Sequence, residues 1–237
     1  MSKSFDYKDN EKSFENSTLP ILYSLRNCPF AMRARIAIFK AQQTVLLRDL
    51  VLTDKPLAML QASPKGTVPV IVLANGTVIE ESLDIMLWAL QETDPSDLLH
   101  ANHLDKSSIS DMHCVIKDFD HGFKRCLEQY KCAKRYQEPS LIEFRQACEV
   151  YIQQLELRLA QQRFLISNQE SLADIALLPY IRQFARIERQ WYLESPYPYV
   201  RRWLNHYLQS PMFTKVMAKY PLWLTNYDEV LFGGYNK

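Results

Sequence analysis

In Ile21-Leu-Tyr-Ser-Leu-Arg-Asn-Cys-Pro-Phe-Ala31, an apolar run of strand character passes directly into a segment with helical spacing. The run Ile21–Ser24 predicts a strand, and recurring apolar residues predict a helix over Pro29–Lys40. Strand character returns at Val45–Leu50. The order strand, helix, strand predicts a crossover that places two strands parallel in one sheet.

The residues that follow extend this sheet. A short helix is predicted over Pro56–Gln61, and two further apolar runs follow at Val70–Leu73 and Thr77–Glu80. The dipeptide Asn-Gly between these runs is a strong hairpin signal. With a second helix from Ser82 to about residue 91, the pattern predicts a small mixed α/β domain with an antiparallel hairpin at one edge.

The pattern changes at Asp94-Pro-Ser-Asp97, and no strand is predicted beyond it. Apolar residues then recur at helical intervals, which is typical of helices that bury one face in a bundle. Two such series are Ile109, Met112, Ile116, Phe119, Phe123, Leu127, Tyr130 and Leu141, Phe144, Cys148, Tyr151, Leu155, Leu159. The predicted organisation is a polar tail (1–18), an α/β domain (19–95), a linker (96–106) and an all-helical domain (107–237).

Composition excludes several classes of function. Lys and Arg number 28 against 27 Asp and Glu, so the chain has no strong field to attract nucleic acid or an anionic membrane. The sequence has no signal-peptide pattern and no predicted membrane span, which predicts a cytoplasmic protein. Its five cysteines contain no CxxC pair, and no metal site is predicted from them or from the histidines.

Cys28 is the strongest candidate for chemistry. It follows the first strand, and Pro29 suits the first position of a helix, so the sulfur lies at a helix N-terminus. Free amides and the helix dipole there favour a thiolate with a lowered pKa. The alternative is a small buried side chain. For Cys114, Cys126, Cys132 and Cys148, which fall in predicted helices, a place in the core or on the solvated surface is the better interpretation.

Ala31 occupies the position at which a second cysteine would form a CxxC pair. The site is therefore monothiol, and a mixed disulfide formed at Cys28 would need an external thiol to resolve it. Glutathione is the abundant thiol in many cytosols.

Two further places could bind a small molecule. Val68-Pro69 begins a strand, where a cis bond would turn the Val68 backbone groups outward. Glu81-Ser82 begins a helix, where an acid and free amides suit the ammonium and carboxylate of an amino-acid head group. An ordinary helix cap with a solvated glutamate is the alternative for the second pair.

Ser171-Leu-Ala-Asp174 has the form of a capping box before an apolar run. Because that run is apolar on all sides, we expect a central helix and a structural role for Ser171 and Asp174.

Four ordered motifs resemble the amino-terminal, thioredoxin-like domain of glutathione transferases, most closely the omega class and the dehydroascorbate reductases. They are Arg26-Asn-Cys28-Pro-Phe-Ala31, Asp54-Lys55-Pro56, Gly66-Thr-Val68-Pro69-Val70 and Glu80-Glu81-Ser82. The helical second half, with Ser171 and Asp174, resembles the carboxy-terminal domain of that family.

The resemblance implies a role for each matching residue. Cys28 would form a mixed disulfide with glutathione, and Val68, before a cis Pro69, would pair its backbone with the cysteine of glutathione. Glu81 and Ser82 would hold the γ-glutamyl group, and Lys55 would face the glycine end. The resemblance also implies glutathione as co-substrate and a homodimer.

The second substrate is usually bound by the helical domain, and Phe119, Phe123, Tyr130 and Trp191 could line its pocket or equally form the core. The leading functional prediction is glutathione-dependent thiol transfer, with dehydroascorbate reduction as a variant. The alternatives are conjugation of glutathione to electrophiles and a non-enzymatic binding or regulatory role, as in chloride intracellular channel proteins, which resemble the same fold.

Overall fold

The computed structural model describes residues 18–100 and 105–234. Nearly all of the predicted polar tail, 1–18, and part of the predicted linker, 96–106, lie outside these residues. The described chain forms a thioredoxin-like sheet domain followed by a helical domain, as predicted. Within the described ranges, no helix is both long enough and apolar enough to cross a membrane.

The first part alternates strands and helices as the sequence predicts. Its elements are β1 (Ile21–Ser24), α1 (Pro29–Lys40), β2 (Val45–Asp49), α2 (Leu57–Ala62), β3 (Val70–Val72), β4 (Val78–Ile79) and α3 (Ser82–Glu92). β1 pairs with β2 in parallel, whereas β1 with β3 and β3 with β4 are antiparallel. The crossover and the edge hairpin are therefore both formed.

The second part is built almost entirely of helices. They are α4 (Lys106–Asp118), α5 (Lys124–Tyr136), α6 (Leu141–Gln161), α7 (Leu172–Ile187), α8 (Arg189–Glu194), α9 (Pro198–Leu208), α10 (Pro211–Val216) and α11 (Trp223–Asn226). A π-helical turn, Phe119–Phe123, joins α4 to α5. α7 is the central helix, and most of its residues are buried.

One strand was not predicted. β5 (Val230–Phe232) pairs antiparallel with β2 and becomes an edge of the sheet, in the order β4-β3-β1-β2-β5. The prediction of an all-helical end is wrong here because three residues are too few to show strand alternation. Their partner is the otherwise open edge of β2, which only the tertiary fold supplies.

Buried arginines of α1 connect the two parts. The Arg33 side chain is 1 % exposed, and its Nε donates to the Ala176 carbonyl at 2.7 Å. Its guanidinium also lies 2.7 Å from the Asp120 carboxylate and 4.6 Å from the centre of the Tyr180 ring. Arg35, also buried, pairs with Asp49 of β2 and reaches the Val216 carbonyl of α10. α1 is thereby fixed against both α7 and the C-terminal segment.

Candidate functional site

Cys28 directly precedes α1, and its backbone forms the hydrogen bonds of the first turn. Its N–H donates to the Leu25 carbonyl at 3.0 Å, and its carbonyl accepts from Met32 N–H at 2.9 Å. Pro29 occupies the first helical position, where no N–H is needed. The partly buried sulfur packs against an apolar cluster that includes Val68, and the thiol donates to the Val68 carbonyl at 3.7 Å.

The electrostatics of Cys28 differ from the prediction. Burial raises the pKa of its thiol, although the backbone amides of Ala31 and Phe30, and then the charges of Arg35 and Lys131, act in the lowering direction. The predicted helix-terminus effect is present, but the loss of hydration outweighs it. The predicted lowering of the Cys28 pKa is therefore wrong in direction, because burial raises it.

The backbone opposite Cys28 has the predicted turn. The Val68-Pro69 peptide bond is cis, and Val68 is buried at the start of β3. Just before it, Gly66 has a φ of +61°, which favours glycine. The Lys55 side chain lies over this turn, since a Cβ added at Gly66 would be 3.1 Å from Lys55 Nζ.

Glu81 and Ser82 lie at the start of α3 as expected, but Glu81 has an ion-pair partner, Lys65, that was not predicted. Ser82 is 6 % exposed, whereas the Glu81 side chain is 67 % exposed and pairs with Lys65 Nζ at 2.5 Å. This pairing raises the pKa of Lys65. No side-chain oxygen caps the first turn of α3, so its amides stay open to a ligand.

A cavity of about 250 Å³ lies where the first turns of α1 and α3 meet the helical domain. Residues from both parts line it: Phe30, Arg33, Glu81, Ser82, Leu83, Asp120, His121, Lys124 and Tyr180. The Lys124 ammonium lies 4.9 Å from the centre of the Phe30 ring, and no ion pair joins it to another described residue. Asp120, in contrast, is engaged by Arg33 and by the Tyr180 hydroxyl at 2.9 Å.

The helical-domain residues of this cavity were missed by sequence reasoning. The sequence feature that could have pointed to them is Gly122, a glycine inside a helical run. A Cβ added there would lie 2.0 Å from the Tyr151 hydroxyl oxygen. Glycine permits the close π-helical packing that displays Asp120 and His121 beside the cavity. Of the aromatic candidates for this role, Phe119, Phe123 and Tyr130 are fully buried in the core, whereas Trp191 is half-buried beneath Arg145.

The other predicted pair, Ser171 and Asp174, forms a capping box that holds the start of α7. Asp174 Oδ2 accepts from the Ser171 N–H at 3.0 Å and from its hydroxyl at 2.7 Å. Its Oδ1 accepts from Leu165 N–H and from Trp203 Nε1, both at 2.9 Å. Burial raises the pKa of Asp174 to about 6 despite these donors.

Two family profiles match the chain. "Glutathione S-transferase, N-terminal domain" covers residues 22–97, and "Glutathione S-transferase, C-terminal domain" covers residues 140–206. Together they match more than half of the chain, in the order of its two structural parts. The chain therefore belongs to the glutathione S-transferase superfamily. A search of curated protein sequences finds no match.

Solved structures of this superfamily share the fold. A glutathione transferase family member from Pseudomonas fluorescens, with two glutathione bound, has a TM-score of 0.73 at 17 % identity and covers 84 % of this chain and 92 % of its own. A glutathione transferase from Phanerochaete chrysosporium, in complex with oxidised glutathione, has 0.72 at 18 %, covering 84 % and 95 %. Glutathione S-transferase I bound with lactoylglutathione has 0.70 at 18 %, covering 84 % and 98 %.

Proposed function

We propose that this protein is a glutathione-dependent thiol transferase in which Cys28 carries the glutathionyl group. The observation that carries the proposal is the position of the sulfur. It lies partly exposed at the start of α1, 3.7 Å from the carbonyl of Val68 and beside the cis Pro69. With Ala31 in place of a second cysteine, the site suits a monothiol cycle rather than an internal disulfide.

The cycle has two exchange steps. The Cys28 thiolate attacks the glutathione sulfur of a mixed disulfide, so that a Cys28–glutathione disulfide forms and the substrate leaves as its thiolate. A second glutathione thiolate then attacks the glutathione sulfur on Cys28, which releases oxidised glutathione and restores the Cys28 thiolate. Each step exchanges one disulfide for another, so glutathione is the only reductant required.

Glutathione would extend from Cys28 towards α3. We assign the γ-glutamyl carboxylate to Ser82 and the open first turn of α3, and its ammonium to Glu81, which would exchange its exposed pairing with Lys65 for the ligand. The cysteine backbone of glutathione would pair with Val68, and Lys55 would face its glycine carboxylate. Lys124 faces the cavity beside Ser82 and adds a cation for the γ-glutamyl carboxylate.

One observation favours a second candidate, conjugation of glutathione to an electrophile. Burial raises the pKa of Cys28, and the thiol already donates a hydrogen bond. A protonated Cys28 could donate to the sulfur of bound glutathione and so stabilise that thiolate instead of attacking a disulfide. In that role, serine could replace cysteine, whereas in thiol transfer it could not.

The experiment compares the natural protein with Cys28→Ser and Cys28→Ala in two assays. Turnover of a glutathione mixed disulfide, coupled to glutathione reductase, reports thiol transfer, and a chromogenic electrophile reports conjugation. Thiol transfer predicts that both variants lose disulfide turnover by about 10³-fold or more. The exposed Cys114→Ala is the matched control and should retain full activity.

The outcomes separate the candidates. Disulfide turnover that survives in Cys28→Ser contradicts the thiol-transfer proposal. Conjugation that survives in Cys28→Ser and falls in Cys28→Ala supports the second candidate. If the natural protein turns over neither substrate and is not retained on glutathione resin, both enzymatic proposals fail and a binding or regulatory role replaces them.

Three finer assignments belong to the same proposal: membership of the cysteine-type, omega-like branch with its dehydroascorbate reductase variant, cytoplasmic residence, and a homodimer. The dimer is supported by three exposed apolar side chains on one side of α6, namely Ile142, Val150 and Leu157. Light scattering at micromolar concentration should give twice the chain mass for the natural protein and a smaller mass for Val150→Asp. A natural protein of monomer mass would contradict the dimer.

A further inference from the structure

A buried ion pair lies behind the helix start that carries Cys28. Arg35 of α1 is completely buried, and its guanidinium pairs at 2.5 Å with the carboxylate of Asp49, at the end of β2. The attraction within a buried pair often fails to offset the loss of hydration, so such a pair is weak evidence for stability alone. Neither residue takes part in the proposed exchange steps. The contacts of the pair point instead to the segment that carries Cys28.

The pair holds the segment between β1 and Cys28 at two points. Arg35 Nε donates to the hydroxyl of Ser24, the last residue of β1, at 2.7 Å. The Asp49 carboxylate accepts from the backbone N–H of Arg26, two residues before Cys28. The sulfur is therefore carried by a short segment that is attached through a side chain and through the backbone to the same buried pair.

The C-terminal segment closes the pair from the other side. Arg35 Nη1 donates to the Val216 carbonyl at 3.3 Å, and the centre of the Tyr220 ring lies 5.8 Å from the guanidinium carbon. Leu222 forms a parallel β-bridge with Asp49. Because α1, the two parallel strands and this segment surround it, the charge of Arg35 is poorly screened by solvent and acts over a longer distance than a surface charge.

The positive charge of Arg35 acts on the Cys28 sulfur. Burial raises the pKa of Cys28, whereas the charges of Arg35 and then Lys131 act to lower it. Lys131, on α5, is 42 % exposed and paired with Glu128, so solvent screens its charge. Tyr180, on α7, is a further titratable group that interacts with Cys28, and burial keeps it neutral by raising its pKa. Arg35 is therefore the buried cation that supports a thiolate at this position.

We propose that Arg35 and Asp49 are positioning residues for the Cys28 thiolate: the pair fixes the segment that carries Cys28, and its cation stabilises the negative charge on the sulfur. Asp49 keeps Arg35 paired and oriented, so that the cation is maintained in the interior when the sulfur is neutral. This inference rests on the proposed function, because the attacking species in that cycle is the thiolate. It assigns no contact with the substrate to either residue.

The first test follows the alkylation rate of Cys28 against pH in the full chain, with the rate of the corresponding Cys28→Ser protein subtracted. The double variant Arg35→Met, Asp49→Asn removes both charges and leaves no buried ion unpaired, so it should fold. We expect the midpoint of its alkylation profile to lie about half a pH unit or more above that of the natural protein, because the cation is lost. Asp49→Asn alone keeps the cation, so its midpoint should not rise.

A merely structural role predicts a different order. Asp49→Asn leaves Arg35 buried and unpaired, so a loss of packing would disturb Cys28 more in this variant than in the double variant. The matched control is Asp111→Asn, which makes the same change in the ion pair with Arg158 of the helical domain and should leave the midpoint unchanged. An unmoved midpoint in the double variant, or an equal rise in Asp49→Asn, would overturn the inference.

A second measurement tests the attachment of the segment and separates this inference from the proposed function. Ser24→Ala removes one attachment but keeps both charges, so it should lower kcat/KM for a glutathione mixed disulfide by about tenfold and leave the midpoint unchanged. Full turnover in Ser24→Ala would contradict the positioning role. If the natural protein turns over no disulfide, the proposed function fails, whereas alkylation requires no turnover and still decides whether the pair acts on Cys28.

Discussion

The helices α1 and α7 pack against each other but begin in opposite ways. α7 starts at Ser171 and Asp174, whose carboxylate accepts hydrogen bonds from two backbone amides, a hydroxyl and an indole. α1 starts at Cys28, which provides no oxygen cap, and the amides of its first turn face a thiol, a weak acceptor. The polar groups at the start of α7 are therefore satisfied within the fold, whereas the amides at the start of α1 remain available to a ligand.

The difference shows why similar local positions have different roles. Asp174 is completely buried and has all its partners within the fold, so its contribution is to stability. Cys28 is partly exposed, and its neighbours Asn27 and Pro29 line a cavity of about 240 Å³, so the groups around it can serve a ligand. A substitution should therefore affect mainly stability at α7 and mainly chemistry at α1, and the following predictions test that division.

The largest expected effect on stability is that of Asp174→Asn. The amide keeps the shape but turns an N–H₂ group towards buried donors, which lose their acceptor. We expect the free energy of unfolding to fall by about 3 to 5 kcal/mol, measured by urea denaturation. Ser171→Ala, which removes one of the four donors, should cost less. A loss below about 1 kcal/mol in Asp174→Asn would contradict the structural role.

The pH dependence of stability should also reveal Asp174. Its folded pKa of about 6 is above its ordinary value of 3.8, so the folded state binds the proton more tightly than the unfolded state. The stabilising contribution of this proton is complete below the ordinary pKa and is lost as the pH rises through 6. The difference in unfolding free energy between the natural protein and Asp174→Asn should therefore shrink from pH 4 to pH 7.

The next prediction concerns Cys28 as an ionising group. Because burial raises its pKa, alkylation by iodoacetamide should accelerate by about tenfold per pH unit and continue to rise above about pH 8.5, the ordinary thiol pKa. Subtracting the rate of Cys28→Ser removes the contribution of the other cysteines. A plateau below about pH 7 would show instead that the amides of the first turn dominate, as the sequence alone predicts.

A smaller effect is expected at the start of α3, which is open like that of α1. The Ser82 hydroxyl forms no hydrogen bond with another described residue, so it is available to a ligand. Ser82→Ala should weaken glutathione binding by about tenfold in calorimetry and change the unfolding free energy by less than about 1 kcal/mol. Lys65→Ala is the control, because it removes only the exposed partner of Glu81. The reverse pattern, lost stability with unchanged affinity, would make Ser82 a structural residue.

Much of the fold followed from sequence because its signals are local. Alternation and helical spacing defined β1 to α3, and the Asn75-Gly76 pair marked the hairpin. The capping box of Ser171 and Asp174 predicted the start of α7 from sequence alone. Features that depend on neighbouring residues in the sequence were thus predictable, and one of them is the position of Cys28 at the start of a helix.

The remainder depends on contacts between distant residues. β5 exists because β2 offers it an edge, and the buried Arg33 has its role because α7 and Asp120 lie opposite it. The direction of the Cys28 pKa was mispredicted because the position on a helix is local, whereas burial against Val68 arises from the whole fold. The cavity residues His121 and Lys124 were missed for the same reason.

A third helix start, that of α10, provides the smallest and last test of the comparison. Ser210 accepts from Phe213 N–H at 3.1 Å and donates to the Tyr207 carbonyl at 2.7 Å, so it is a side-chain cap, but one at a half-buried position. Because water can replace these bonds, Ser210→Ala should reduce the unfolding free energy by about 1 kcal/mol, the usual cost of an N-cap. Urea denaturation of the full chain measures this loss, and disulfide turnover should be unchanged. If Ser210→Ala lowers the unfolding free energy as much as Asp174→Asn does, the stabilisation comes from capping itself and not from burial of the capping residue. That result would contradict the comparison drawn between α1 and α7.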